Sequence, residues 1–212
     1  MVRKIQFSQE DVIQAAFLVV KNRGIDQLTA RNVAHELGSS TAPVYSNFAN
    51  MEDLESAAFA KATEKLLEYA TRPHTDNPFL NIGIGVLEFA WDCPLWYYAF
   101  SVKHSQGHDH FLRLSEKFLE RMAEIPEMEP IRPPERAILL HKMAIFTHGL
   151  AWDICQGNFP HDGLPSGFQL MEEVGNILTK DALERPARSE EEYEKLAWIC
   201  HPTQPPSTKP GD

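Results

Sequence analysis

"TARNVAHELGSSTAPVYSNF", residues 29–48, decides the fold. Two short helical patterns flank a Gly-Ser-Ser break. Thr29 is a good N-cap for the first, and Gly38 tolerates the positive φ of a tight turn. Ser40 or Thr41 caps the second, and Pro43 falls near its first turn, where a missing N–H does little harm. The spacing predicts helices over 30–37 and 41–48. In a helix-turn-helix, two short helices cross steeply through a tight turn. The first needs a small residue where the partner's backbone approaches, and the second must return an apolar residue to the shared core. Ala34, Gly38 and Val44 hold those places, and Val33, Leu37 and Phe48 complete the core. Ala30, Thr41, Ala42, Pro43, Tyr45, Ser46 and Asn47 are left to face outward or flank it.

The rest of the chain is also helical in pattern, with no sustained period-2 alternation. Ser8 caps a first helix over 9–23, whose Val12, Ala15, Ala16, Val19 and Val20 recur at three- and four-residue spacing, and Gly24 suits its C′ position. A fourth helix covers 51–71 and stops before Pro73. Prolines then cut the chain into blocks over 78–91, 94–105, 109–124, 134–156 and 167–184. Ser189-x-x-Glu192 is a capping box for a last short helix, with Tyr193, Leu196, Ala197 and Cys200 as a docking stripe. The closing HPTQPPSTKPGD is Pro-rich and polar and reads as disordered. The expected fold is all-α: a three-helix head over 1–50, a helical body over 51–185, and a short helix and tail over 186–212.

The chain has 212 residues, 43% of them hydrophobic, and a formal net charge of −10. No run approaches the ~18 apolar residues of a membrane span. No apolar signal segment stands at the start, so the expected location is the cytoplasm. The three cysteines, Cys93, Cys155 and Cys200, are scattered and read as free thiols. Residues 1–50 carry +1 and residues 51–212 carry −11. An acidic body repels nucleic acid, so any DNA contact falls to the first fifty residues.

A recognition helix can read base edges with short polar and methyl-bearing groups, while flanking residues hold the phosphates. Ser40, Thr41, Ala42, Pro43, Tyr45, Ser46 and Asn47 are the candidates on or beside that helix, with the Tyr45 hydroxyl in reach of a phosphate. Arg3 and Lys4 form an arm. Thr29 and Arg31 sit at a helix N-terminus whose dipole favours anions.

On these residues the sequence resembles the tetracycline-repressor (TetR) family of transcriptional regulators. Ala15-Ala16, Gly24, Leu28-Thr29, Val33-Ala34, Leu37-Gly38, Val44-Tyr45, Phe48 and Glu52-x-Leu54 carry the likeness, over the first 60 residues. It implies a homodimer with a DNA-binding head, a ligand-binding body and a fourth helix that couples them. Two positions depart from the pattern: Met51 stands where a Lys is usual at the start of the fourth helix, and Asn47 where a His often precedes the Phe.

In the body, Phe89, Trp91, Trp96, Tyr97, Phe100, Phe146 and Trp152 are the candidate walls of an apolar pocket, with Asp92, His148 and Asp153 as polar anchors. For any single one of these residues, ordinary core is the competing reading. The helices over 134–156 and 167–184 are the candidate dimer face, through Ile138, Gly149, Leu150, Phe168, Met171, Gly175 and Leu178. Close helix approach would offset the helix-breaking cost of Gly149 and Gly175, roughly 1 kcal/mol each. HSQGHDH (His104, His108, His110) is the metal-like cluster, but no Cys or Glu completes it at a familiar distance, and it reads as an inter-helix loop. No catalytic constellation is visible, and no metal or cofactor is expected. The expected function is a ligand-responsive regulator, a repressor by family analogy, that binds a double-stranded DNA operator and is released by a small, largely apolar effector. The alternative is a helical ligand-binding protein with weak or lost DNA binding.

Overall fold

The computed structural model describes residues 7–102, 104–159, 163–196 and 199, with residues 104–112 given by their backbone. Among the described residues there are ten α-helices and no strand: α1 (Gln9–Arg23), α2 (Ala30–Glu36), α3 (Ala42–Asn47), α4 (Met51–Ala70), α5 (Pro78–Asp92), α6 (Pro94–Val102), α7 (His104–Ala123), α8 (Pro133–Cys155), α9 (Leu164–Glu184) and α10 (Glu190–Lys195). None of them is long and apolar enough to cross a membrane.

Local chemistry sets the helix starts. The Ser8 hydroxyl accepts the Asp11 N–H, and the Asp11 carboxylate accepts the Ser8 N–H, a complete capping box. Asn50 caps α4 by accepting the Asp53 N–H at 2.8 Å, and Asn77 caps α5 through the Phe79 and Leu80 amides. Two helix starts differ from expectation by more than one residue. HSQGHDH, expected as a loop, has helical backbone from His104 onward. Gly107 costs that helix roughly 1 kcal/mol, and the burial of Leu114 and Met122 further along offsets it. The ninth helix begins at Leu164 rather than 167, because Pro165 falls in its first turn, where a missing N–H is harmless.

α5 is the centre of the body and packs against α4, α6, α8 and α9. Gly85 allows the α4 crossing: a Cβ there would lie 2.2 Å from the Tyr69 carbonyl oxygen. The head is joined to the body by α4 and by α6, both of which pack on α1. Trp96 of α6 is fully buried and stacks on Phe17 of α1 with centroids 5.4 Å apart. Its indole N–H donates to the Phe17 carbonyl at 3.0 Å.

The C-terminal segment is clamped at the start of α8. Glu135, only 5% exposed, accepts from Arg188 and from the Tyr193 hydroxyl. Tyr193 and Leu196 of the expected stripe are half-buried, while Ala197 and Cys200 fall outside the described residues. Burial pushes the Glu135 carboxyl up, but hydrogen bonds from Arg188 and Tyr193 and the Arg188 and Arg132 charges outweigh it and leave it below the usual glutamate range. A lowered folded-state value stabilises the fold above the unfolded pKa and is lost as pH falls through the folded one. Glu135→Gln is therefore expected to cost about 2 kcal/mol at pH 7. The gap to the wild type should close as the medium is acidified below about pH 4.3, the ordinary glutamate value. Urea denaturation across that range measures it, and a pH-independent gap would refute the charged clamp.

Candidate nucleic-acid interface and internal cavity

The head realises the tight bend. Thr29 caps α2 by accepting the Asn32 N–H at 3.2 Å, which leaves its own O–H proton for another acceptor. Gly38 has φ +61°, and the Ser39 N–H returns to the Ala34 carbonyl at 2.9 Å, satisfying a helix-end acceptor. α3 then packs on both α1 and α2. Val44 is buried with Val33 and Phe48, and Ala34 is buried as well.

Burying Val44 turns the other side of α3 outward. Ser40, Thr41, Ala42, Tyr45 and Ser46 are exposed, as are Thr29 and Arg31, and Pro43 is half-buried. Tyr45, at 61% exposure, is a large ring with no buried role. Ser46 donates to the Pro43 carbonyl at 3.1 Å, and its oxygen accepts from the Asn47 amide at 3.5 Å, which leaves one lone pair for a further donor. Asn47 differs. It is half-buried, and its amide donates to the Pro43 carbonyl at 2.8 Å and the Phe7 carbonyl at 3.4 Å, so it fastens α3 to the chain entering α1. Arg3 and Lys4 lie outside the described residues.

The body encloses a cavity of about 470 Å³. Leu66 of α4, Phe79, Ile82, Gly83 and Val86 of α5, Leu114 and Phe118 of α7, and Leu140, Met143 and Ala144 of α8 supply apolar wall. α6 contributes Tyr97, Phe100 and Ser101, and α8 also brings His141, Thr147 and His148. Ile145, 62% exposed, marks where the space reaches solvent. The Tyr97 hydroxyl lies 3.1 Å from His148 Nδ1. Burial raises the Tyr97 pKa, so the phenol stays protonated, and burial lowers that of His141, which favours the neutral ring.

Of the aromatic candidates, this cavity brings together Tyr97 and Phe100, with His148 as a polar group. Phe89 and Trp96 are fully buried in the core. Trp91 is half-exposed against Gly163, and Trp152 stacks on Tyr98 with centroids 5.9 Å apart. Phe146 packs against the core beside the cavity walls. Asp92 accepts the Tyr69 hydroxyl at 2.6 Å, away from the cavity. The walls that sequence reasoning missed are the aliphatic faces of α5 and α8, whose Leu, Ile and Val carry no signal separating pocket from core. The side chains of His104, His108 and His110 lie outside the described residues.

The expected dimer residues divide. Ile138 and Met171 are buried in the subunit, and Gly175 is spent there too: a Cβ on it would lie 2.2 Å from Leu80 Cδ2. These three, expected on the dimer face, are instead occupied by packing inside the subunit. Leu150, Phe168 and Leu178 are half-buried, and Gly149 is exposed with nothing within 4 Å of where its Cβ would be. The same two helices expose Ile145, Leu170 and Ile177, the last at 67%.

No protein-family model matches the chain. No curated protein matches it in sequence. Solved structures do. A Rhodococcus sp. protein assigned to the TetR family of transcriptional regulators superposes with a TM-score of 0.57 at 17% identity, covering 78% of this chain and 96% of that one. A TetR-like transcriptional regulator from Rhodococcus sp. RHA1 gives 0.57 at 15% identity, covering 87% and 100%. A TetR variant from Acinetobacter baumannii AYE, solved with minocycline, gives 0.56 at 12% identity, covering 87% and 99%. The chain thus has the all-α TetR fold, which the head residues had suggested.

Proposed function

We propose that the chain is a homodimeric transcriptional regulator that binds operator DNA through α3 and releases it when a small effector enters the body. The observation that carries this reading is the placement of α3. Val44 faces the core, while Thr41, Ala42, Tyr45 and Ser46 present a short, neutral, polar and methyl-bearing surface of the kind that fits a major groove. The fold shared with TetR-family regulators supports it. Ile145, Gly149, Leu170 and Ile177 supply an apolar face on α8 and α9 for a second copy. Two heads must stand about 34–36 Å apart to enter successive major grooves. An effector that empties the operator must prefer another separation by roughly 5 kcal/mol. The likeness to a structure solved with minocycline favours a drug-sized molecule as that effector.

Arg31→Ala and Tyr45→Phe are expected to weaken binding to every sequence by about five- to tenfold each, the worth of one phosphate hydrogen bond. Thr41→Ala and Ser46→Ala should change the preference between sequences instead. Gel shifts on the chain's own upstream DNA at low and moderate salt measure both. Unchanged affinity in the Arg31 and Tyr45 variants would remove the assigned roles. A second reading, a ligand-binding protein without operator binding, is favoured by Met51 and by the small positive charge of residues 1–50. No retardation at either salt would establish it.

A further inference from the structure

The walls of the 470 Å³ cavity contain no Asp, Glu, Lys or Arg among the described residues. Among the described residues the groups there that could become cationic are His141 and His148, and a charge left unpaired against so much apolar wall is costly. The polar groups that do line it are largely spent on the protein. Ser101 donates to the Tyr97 carbonyl at 3.2 Å, and Thr147 donates to the Met171 sulfur at 3.5 Å. Ser115 and His141 also line it and have partners of their own. The Tyr97–His148 pair keeps a donor to spare, for a reason that does not depend on tautomer. If the phenol donates to Nδ1, the neutral ring carries its proton on Nε2. If Nδ1–H donates to the phenol oxygen, the phenol proton is left over. Either way the pair keeps one N–H or O–H donor that it does not use itself. It also stands close to the solvent opening, since His148 is exposed and Ile145 neighbours it.

We infer that this cavity takes an uncharged, largely apolar molecule bearing a hydrogen-bond acceptor such as a ketone, ester or lactone carbonyl, held by the Tyr97–His148 pair. The apolar body of the molecule lies against Phe79, Ile82, Val86, Phe100, Leu114 and Phe118. At an interior packing density of about 0.75, the space holds roughly 350 Å³ of molecule. The inference rests on the regulator reading for the use of this cavity as the effector site, but its chemistry can be tested apart from DNA.

A matched rigid series provides the test: 9-fluorenone, fluorene and fluorene-9-carboxylate, titrated against the full chain by calorimetry. The ketone should bind about tenfold more tightly than the hydrocarbon, as one desolvated hydrogen bond gives, and the carboxylate more weakly than either. Tyr97→Phe combined with His148→Leu should erase the difference between ketone and hydrocarbon while leaving hydrocarbon affinity in place. That second readout shows that the double variant still folds and still has its cavity. Ala144→Trp, which fills the cavity, should abolish binding of both. The inference is overturned if the carboxylate binds best, if the ketone does not bind, or if the double variant keeps the ketone preference. Gel shifts on the same preparations keep the two ideas apart. Loss of DNA binding with the ketone preference intact would sink the regulator reading alone, and the converse would sink this one alone.

Discussion

Trp96→Ala is expected to lower the free energy of unfolding by about 5 kcal/mol, a large part of what a domain of this size has to lose. The ring has no exposed surface, stacks on Phe17, and meets Phe59 edge-on with centroids 5.4 Å apart. Deleting it would leave a void between α1, α4 and α6 too tightly walled to collapse. It would also take away the indole donor from the Phe17 carbonyl. Trp96→Phe separates the two contributions, because it keeps most of the packing and loses the hydrogen bond, and should cost about 1–2 kcal/mol. Urea denaturation monitored by circular dichroism reads both. An alanine cost under about 2 kcal/mol would show that the head is not secured to the body at this ring.

Gly85→Ala should destabilise the fold by about 3 kcal/mol, although helix propensity alone predicts a gain of about 1 kcal/mol. The sign is decided by what the new methyl meets. Its carbon would lie 2.2 Å from the Tyr69 oxygen, 2.4 Å from the Tyr69 carbonyl carbon and 2.5 Å from Ala70 Cα. These are main-chain atoms and cannot rotate aside, so α4 or α5 has to translate. Gly149→Ala is the control within one subunit, measured at concentrations too low for the proposed pairing, because no atom of that subunit waits within 4 Å of its Cβ. There propensity should prevail, and the subunit should gain up to about 1 kcal/mol. If Gly85→Ala proved stabilising, the close α4–α5 crossing would be wrong.

The head was legible because its signals are local. Ser8, Thr29 and Gly38 each act on residues within a few positions, and the 34/38/44 spacing encodes a crossing of two adjacent helices. The body was legible in its helices and not in their arrangement. Tyr97 and His148 are 51 positions apart, and only the packing of α6 on α8 brings them together. Phe89 and Phe100 look alike in sequence, yet one is core and the other lines the cavity. Gly175 reads equally well as a dimer contact or an internal one, since both need a missing Cβ, and only the position of Leu80 chooses between them. HSQGHDH looked like a loop because its polarity and glycine are local features, whereas its helicity comes from the long element it begins.

α6 spans only Pro94–Val102, yet its neighbouring residues face two different compartments: Trp96 grips α1, and Tyr97 and Phe100 border the cavity. A stub this short behaves as one stiff peg and has no spare length in which to absorb a push. Under the regulator reading, a guest that displaced Tyr97 would press on the same short element that holds the Phe17 carbonyl, which gives the proposed effector a second route to the first helix beside α4.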